Sequence, residues 1–365
     1  MKTDVVIIGG GPAGCSAALA LAKLGVTSAI VSAPKANVKP TEIALPALTG
    51  LLRSLGAEPA LAACEPCYGI CSSWGRREPM LRPSILDPHG YPWFIHRERF
   101  DRAFRESVLK TGSFWLESVA EGVDFHESEI IVTTQDKHVR AKWLIIANGS
   151  PAWAARITGQ RITKHDSLTA LWGKLPGVKT ERLLFVEPAE FGWWYLCPDD
   201  GPGSIACLMT DPLLARSLGA GQVSKWNNLF RETRLALKFG MTATAEKVSV
   251  ASTGLMSLQK VQGERWIAIG DAAAKLDPLG SGGTMSAMDA GRRAARAIFA
   301  CLNGSSLEVQ AYEQWFARLV AEFSRQREQH YRLESANRSS SFWNRRSTAQ
   351  IGSAGAATNA PAHAM

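Results

Sequence analysis

The chain has none of the ~18-residue uninterrupted apolar runs that a membrane-spanning helix needs. A secretory leader is not expected either, because Asp4 and the Gly-Gly-Gly-Pro interruption break the apolar stretch that follows Lys2. We therefore expect a cytoplasmic protein without membrane association. Cysteine is sparse and odd in number, seven in 365 residues, which argues against a disulfide framework. The one close group, Cys64, Cys67 and Cys71, is followed by no second CxxC and no HxxxH, so it reads as small buried thiols and no metal is expected. Acidic residues are in the minority, 33 against 41 Lys and Arg, for a net charge of +8. The basic residues are scattered, apart from "RQREQHYRLESANR" and "WNRRS", and no nucleic-acid motif accompanies them, so nucleic acid is not an expected partner.

What is present is an ordinary globular composition, 46% hydrophobic and 20% charged, long enough for one large core or two smaller ones. The first 32 residues read as strand, glycine turn, helix and strand: "TDVVII", "GGGPAG", "CSAALALAKLG", "TSAIVS". Gly9, Gly11 and Gly14 form GxGxxG, with Pro12 and Ala13 between them. The three glycines supply a tight turn, close backbone approach to a pyrophosphate, and close packing of helix on strand. The phosphates would sit at the positive helix end beginning near Pro12. Where an acidic residue would meet the ribose, at the end of the second strand, stands Ser32.

Further Rossmann-like strands are read at "AKWLIIANGS" and "RWIAIGDAA". The latter runs into a glycine-rich turn and the helix "GTMSAMDAGRRAARAIFACL". Asp271 is placed to accept a hydrogen bond from a ribitol hydroxyl, a group that FAD has and NAD lacks. Pro278, Gly280, Gly282 and Gly283 then lead into a helix whose first amides could face the flavin and stabilise its reduced, anionic form. Between these segments, "LLFVEP", "FGWWYLCP" and "SIACLMT" read as a strand meander, "QVSKWNNLFRETRLALKF" as a helix, and the chain after 305 as a long helix. The expected fold is α/β: a Rossmann-like FAD-binding domain (1–65, 96–160 and 256–305) with an inserted β-sheet substrate domain (66–95 and 161–255). A C-terminal helical segment (306–346) and a disordered tail (347–365) follow.

"GGGPAG", "IGDAAAKLDP" and "HRERFDRAF" together resemble the flavoprotein monooxygenases of the p-hydroxybenzoate hydroxylase and tryptophan halogenase group, over roughly residues 1–345. The resemblance implies FAD as cofactor, a fold of the glutathione-reductase type, and a cofactor-holding role for Arg97. Two departures narrow it. The Asp-Gly pair that serves FAD and NADPH in single-component hydroxylases is replaced by Asn148-Gly149, which leaves the electron donor unidentified. Around "CSSWGRREP", and in "FGWWYLCP" where a halogenase has Trp-x-Trp-x-Ile-Pro, there is no lysine to capture hypohalous acid.

"KPTEIALPALTGLLRSLG", "DPHGYPWFIHRERFDRAF", "LMTDPLLA" and "SFWNRR" are similar to the flavoproteins encoded beside tryptophylquinone-dependent amine and amino-acid oxidases, such as the partners of lysine ε-oxidase and glycine oxidase. That resemblance implies a monooxygenase that uses O2 to hydroxylate a Trp side chain of an oxidase precursor, a protein substrate. Trp74, Trp93, Trp193, Trp194 and Tyr195 are candidate walls of the substrate cavity, although each is also an ordinary core residue. If 193 and 194 lie on a strand they face opposite sides. Glu42 is the candidate acid-base group, at an expected helix start; a helix N-terminal charge is the other reading. His89 reads as a turn residue or a substrate contact. Two other functions stay open: a small-molecule indole hydroxylase or halogenase, and a non-catalytic flavin-binding maturation factor.

Overall fold

In the computed structural model, which describes residues 1–34, 39–238, 240, 242–335 and 339–348, two sheets organise the chain. The first carries the nucleotide half. Its strands Phe114–Glu117, Ser28–Ser32, Lys2–Ile8, His138–Ile146 and Trp266–Ala268 lie side by side and parallel, with Gln262–Gly263 antiparallel at one edge. Val5, Val6, Ile7 and Ile145 are wholly buried because helices cover the sheet, as expected for a parallel sheet of continuous apolar runs. A hairpin, Ala120–Phe125 and Ile130–Thr134, pairs onto the outer half of the long strand at 138.

The first helix, Pro12–Lys23, and the helix Gly283–Leu302 pack together through small residues. A Cβ on Gly291 would lie 2.4 Å from the carbonyl oxygen of Ala13. That close approach draws the two glycine-rich turns, 270 residues apart in the sequence, to one end of the sheet.

The second sheet has seven strands in the order Ser249–Ser252, Thr169–Pro176, Gly203–Thr210, Gly192–Pro198, Leu183–Ala189, Gly69–Ser72 and Met80–Pro83. Residues around 70 and 80 thus join the meander of residues 169–252, through a parallel pairing of Gly69–Ser72 with Leu183–Ala189. One face of this sheet buries Trp194 against Trp226 and Phe230. Its other face, carrying Trp193, meets the C-terminal helices Leu307–Ser335 and Ser341–Thr348.

Three expectations are corrected. Glu42 lies in a short strand, Glu42–Ala44, paired with Trp93–Ile95, and opens no helix. The helix expected from 222 is two helices, Val223–Arg231 and Arg234–Lys238. The buried Glu187 carboxylate accepts from the backbone N–H groups of Arg234 and Leu235, both at 2.8 Å, and Thr233 Oγ1 accepts from Ala236 N, so side chains restart the second helix. The last helix runs to Thr348, two residues into the expected tail, whose remainder, 349–365, lies outside the described residues.

Candidate flavin site and adjoining cavity

The turn after the first strand is built by steric necessity. Gly9 has φ +114°, and a Cβ there would lie 2.2 Å from Ala147 O; a Cβ on Gly14 would lie 1.9 Å from Gly9 O. At Gly11, by contrast, a Cβ would meet nothing within 4 Å. Gly11 caps the first helix without a side-chain hydrogen bond, and Pro12 follows it, so the first-turn amides of Ala13 and Gly14 lie at a positive helix end without intrahelical acceptors. This cradle fits a pyrophosphate. Ser32 ends the second strand beside it: its Oγ would lie 2.8 Å from a Cβ on Gly10. Asn148-Gly149 borders the same turn, since Asn148 N would be 2.7 Å from a Cβ on Gly9.

Asp271 reaches the cleft from a single helical turn, Gly270–Ala272. Gly270, at φ +57°, sits so close to the first helix that its Cβ would be 3.0 Å from that of Ala13. Asp271 is exposed to the cleft yet ringed by its walls. The resulting loss of bulk solvent raises its carboxyl above the ordinary value, against the pull of Lys39 and Lys275.

Beside it lies a charged cluster. Arg97, 5% exposed, opens the helix Arg97–Leu109, pairs with Glu42, and donates from Nε to Asp101 Oδ1 at 3.3 Å. The second Glu42 oxygen accepts from the hydroxyl of Thr284, in the first turn of the helix Gly283–Leu302. Desolvation pulls the Glu42 carboxyl up, but Arg97, Lys39 and Thr284 outweigh it and hold it below the ordinary value. Glu42 is therefore an ionised anchor for two elements and a poor proton donor. Arg97 likewise lowers the Lys39 ammonium. Lys39, Asp101 and Thr284 were not singled out in the sequence. "KPTE" and the Arg-x-x-x-Asp spacing carry Lys39 and Asp101 only once Arg97 is known to be buried.

The loop from Asp277 to Gly282 borders a cavity of about 250 Å³. Leu279, Gly280 and Ser281 form one wall, Ile43 and Leu45 another, and Phe323, Gln326, Arg327 and His330 a third. The last four lie on one face of the long C-terminal helix, at spacings of three and four residues. None of the five predicted aromatic residues lines this cavity. Trp93 is nearest in register, paired with Ala44 of the lining. Tyr195 packs against the core of Phe94, Cys197 and Ile205, and burial drives its phenol well above the ordinary value. Trp74 and Trp193 pack edge to face with each other, and Trp74 packs on Tyr331 and Trp343. Trp194 points into the opposite core. His89 is exposed, its N–H donating to Asp87 Oδ1 at 2.9 Å in a turn closed by Gly90. Burial pushes the Cys64 thiol up to about 12, leaving it protonated.

A parallel sheet whose glycine turn, acidic strand end and second glycine loop meet over one cleft defines an FAD-dependent oxidoreductase. Residues 2–322 match the FAD binding domain family, and the chain belongs to it. Over 360 residues it is 23% identical to the putative FAD-dependent oxidoreductase LodB of Marinomonas mediterranea, covering 94% of this chain and 96% of LodB. It is 24% identical over 349 residues to the 1H-pyrrole-2-carbonyl-[peptidyl-carrier protein] brominase of Pseudoalteromonas luteoviolacea, covering 86% and 81%. Among solved structures it resembles the flavin-dependent halogenase CmlS, with a TM-score of 0.82 at 22% identity over 96% of this chain and 68% of that one. It also resembles the peptidyl tryptophan dihydroxylase QhpG, with a TM-score of 0.79 at 22% identity over 97% and 80%. Among the described residues, no helix is long and apolar enough to cross a membrane.

Proposed function

We propose that this protein is a monooxygenase that hydroxylates a tryptophan side chain of a partner oxidase precursor during tryptophylquinone formation. The observation that carries the reading is the cavity against the 277–282 loop. It is mostly apolar, of a size for one aromatic side chain, and one of its wall residues, Leu45, is exposed at the protein surface, which supports access from outside. The full-length likeness to LodB and the fold shared with QhpG support it. No lysine lines the cavity, which disfavours the halogenase reading, since capture of hypohalous acid would need an ammonium there.

FAD, when bound and reduced, supplies the activation of O2. The chain's own residues bind and orient. The Ala13 and Gly14 amides would hold the pyrophosphate, Asp271 would accept from the ribitol, and Ser32 from the adenosine ribose. Arg97 and Thr284, fixed by Glu42, set the first turn of the helix Gly283–Leu302 against the cleft. Ile43, Leu279 and Phe323 exclude water from the indole. The test is intact-mass measurement of a precursor co-expressed with and without this chain. A gain of one or two oxygen atoms on a Trp supports the proposal; an unmodified Trp after turnover with reduced flavin and O2 overturns it. Halogenation of free indole in bromide or chloride would establish the other reading.

A further inference from the structure

The long C-terminal helix touches both the flavin-bearing loop and the cavity, through the same residues. Asp277, 2% exposed, accepts three hydrogen bonds: from Leu279 N at 2.9 Å within its own loop, from Arg327 Nε at 2.8 Å and from Tyr331 OH at 3.1 Å. Arg327 also lines the cavity. Phe323, one turn earlier, lies 3.0 Å from where Gly280 would carry a Cβ. Immediately after Gly280, Ser281 holds φ +50°, a left-handed conformation that L residues other than glycine adopt uncommonly.

The same residues reach the seven-stranded sheet. Tyr331 OH accepts from Trp193 Nε1 at 3.1 Å. Arg327 pairs with Asp166, which Arg346 bridges to Asp211 at 2.7 Å. The loop shape is therefore held from one side by a helix that also contacts the cavity wall and the seven-stranded sheet.

We propose that Arg327 and Tyr331 are positioning residues that couple occupancy of the cavity to the geometry of the flavin-bearing loop. An aromatic side chain entering the cavity meets Phe323, Gln326 and His330. Any shift of that helix face moves Arg327 and Tyr331, and with them Asp277 and the backbone of Leu279 to Ser281. Because linkage is reciprocal, substrate and FAD then change each other's affinity by one common factor. The inference rests on the reading that the cavity takes an indole.

The test measures FAD affinity by flavin fluorescence quenching, and the flavin visible band, with and without saturating N-acetyltryptophanamide. In the wild type the probe should change FAD affinity by about fivefold or more and shift the band. Arg327→Lys keeps the charge but loses the fork, and Tyr331→Phe loses only the hydroxyl. Both should bind FAD within about threefold of wild type, while the probe's effect falls to less than about twofold. If Arg327→Lys fails to fold, Tyr331→Phe decides alone. No probe effect in the wild type, or an undiminished effect in Tyr331→Phe, overturns the proposal. An unmodified precursor Trp alongside intact coupling would fault the functional reading and leave this one standing.

Discussion

Trp193 and Trp194 are neighbours in the chain and occupants of two different cores. Trp193 donates its indole N–H to Tyr331 at 3.1 Å, whereas Trp194, 1% exposed, has no partner for its own among the described residues. Truncating either to Phe removes the same atoms from a buried site, and only at Trp193 is a hydrogen bond lost with them. Trp193→Phe should be more destabilising than Trp194→Phe by about 1–2 kcal/mol in urea unfolding. Equal costs would show that the Trp193–Tyr331 bond contributes nothing net.

The glycines of the first turn should separate folding from binding. Gly14→Ala places a methyl 1.9 Å from Gly9 O and should cost more than about 3 kcal/mol or prevent folding. Gly11→Ala meets no protein atom within 4 Å, so the apoprotein should melt within a few degrees of wild type while FAD affinity falls about tenfold, ~1.4 kcal/mol. Thermal melting of the apoprotein and flavin quenching check the two arms. Unchanged FAD affinity in Gly11→Ala would move the pyrophosphate elsewhere.

Glu42 has a folded-state pKa below its unfolded one, so it binds fewer protons when folded. Its contribution is fully present above the ordinary carboxylate range and is lost as pH falls through the depressed value. Glu42→Gln should lower stability at pH 7 by about 1–3 kcal/mol, leaving Arg97 to Asp101 alone. The variant's stability should also fall less steeply than wild type below about pH 5. Parallel acid-side profiles for the two proteins would contradict the ion pair.

Ser32 stands beside Gly10 at the edge of the cradle. A carboxylate there would turn a neutral hydrogen bond to the ribose into a charge-assisted one, roughly twice as strong. Ser32→Glu should therefore tighten FAD, read by equilibrium dialysis. Unchanged or weaker binding would count against a ribose at Ser32.

The nucleotide half was legible because its requirements are local. GxGxxG, the strand ending at Gly270-Asp271 and the helix from Gly283 each announce themselves within a few residues, and their meeting follows from the parallel sheet. The α/β fold and FAD as cofactor followed from them. The cavity was not legible, because its walls come from residues 43–45, 70, 92, 277–281 and 323–330, and no local pattern ties these together. Aromatic richness pointed instead to Trp193 and Trp194, where core packing claims both. Glu42 was picked out as the start of a helix beside the flavin half, since a three-residue strand has too little sequence to show a period.

The bonds that Asp277 accepts from Arg327 and Tyr331 also impose an order of events during synthesis. Every fingerprint of the nucleotide half, through the helix ending at Leu302, emerges before the two residues that seat the loop. Until residues 327 and 331 leave the ribosome, Asp277 lacks both, so a nascent chain carries the complete glycine turn and a 277–282 loop still without these two bonds. A chain cut short before residue 327 would keep the glycine motif and lose both of these bonds to Asp277.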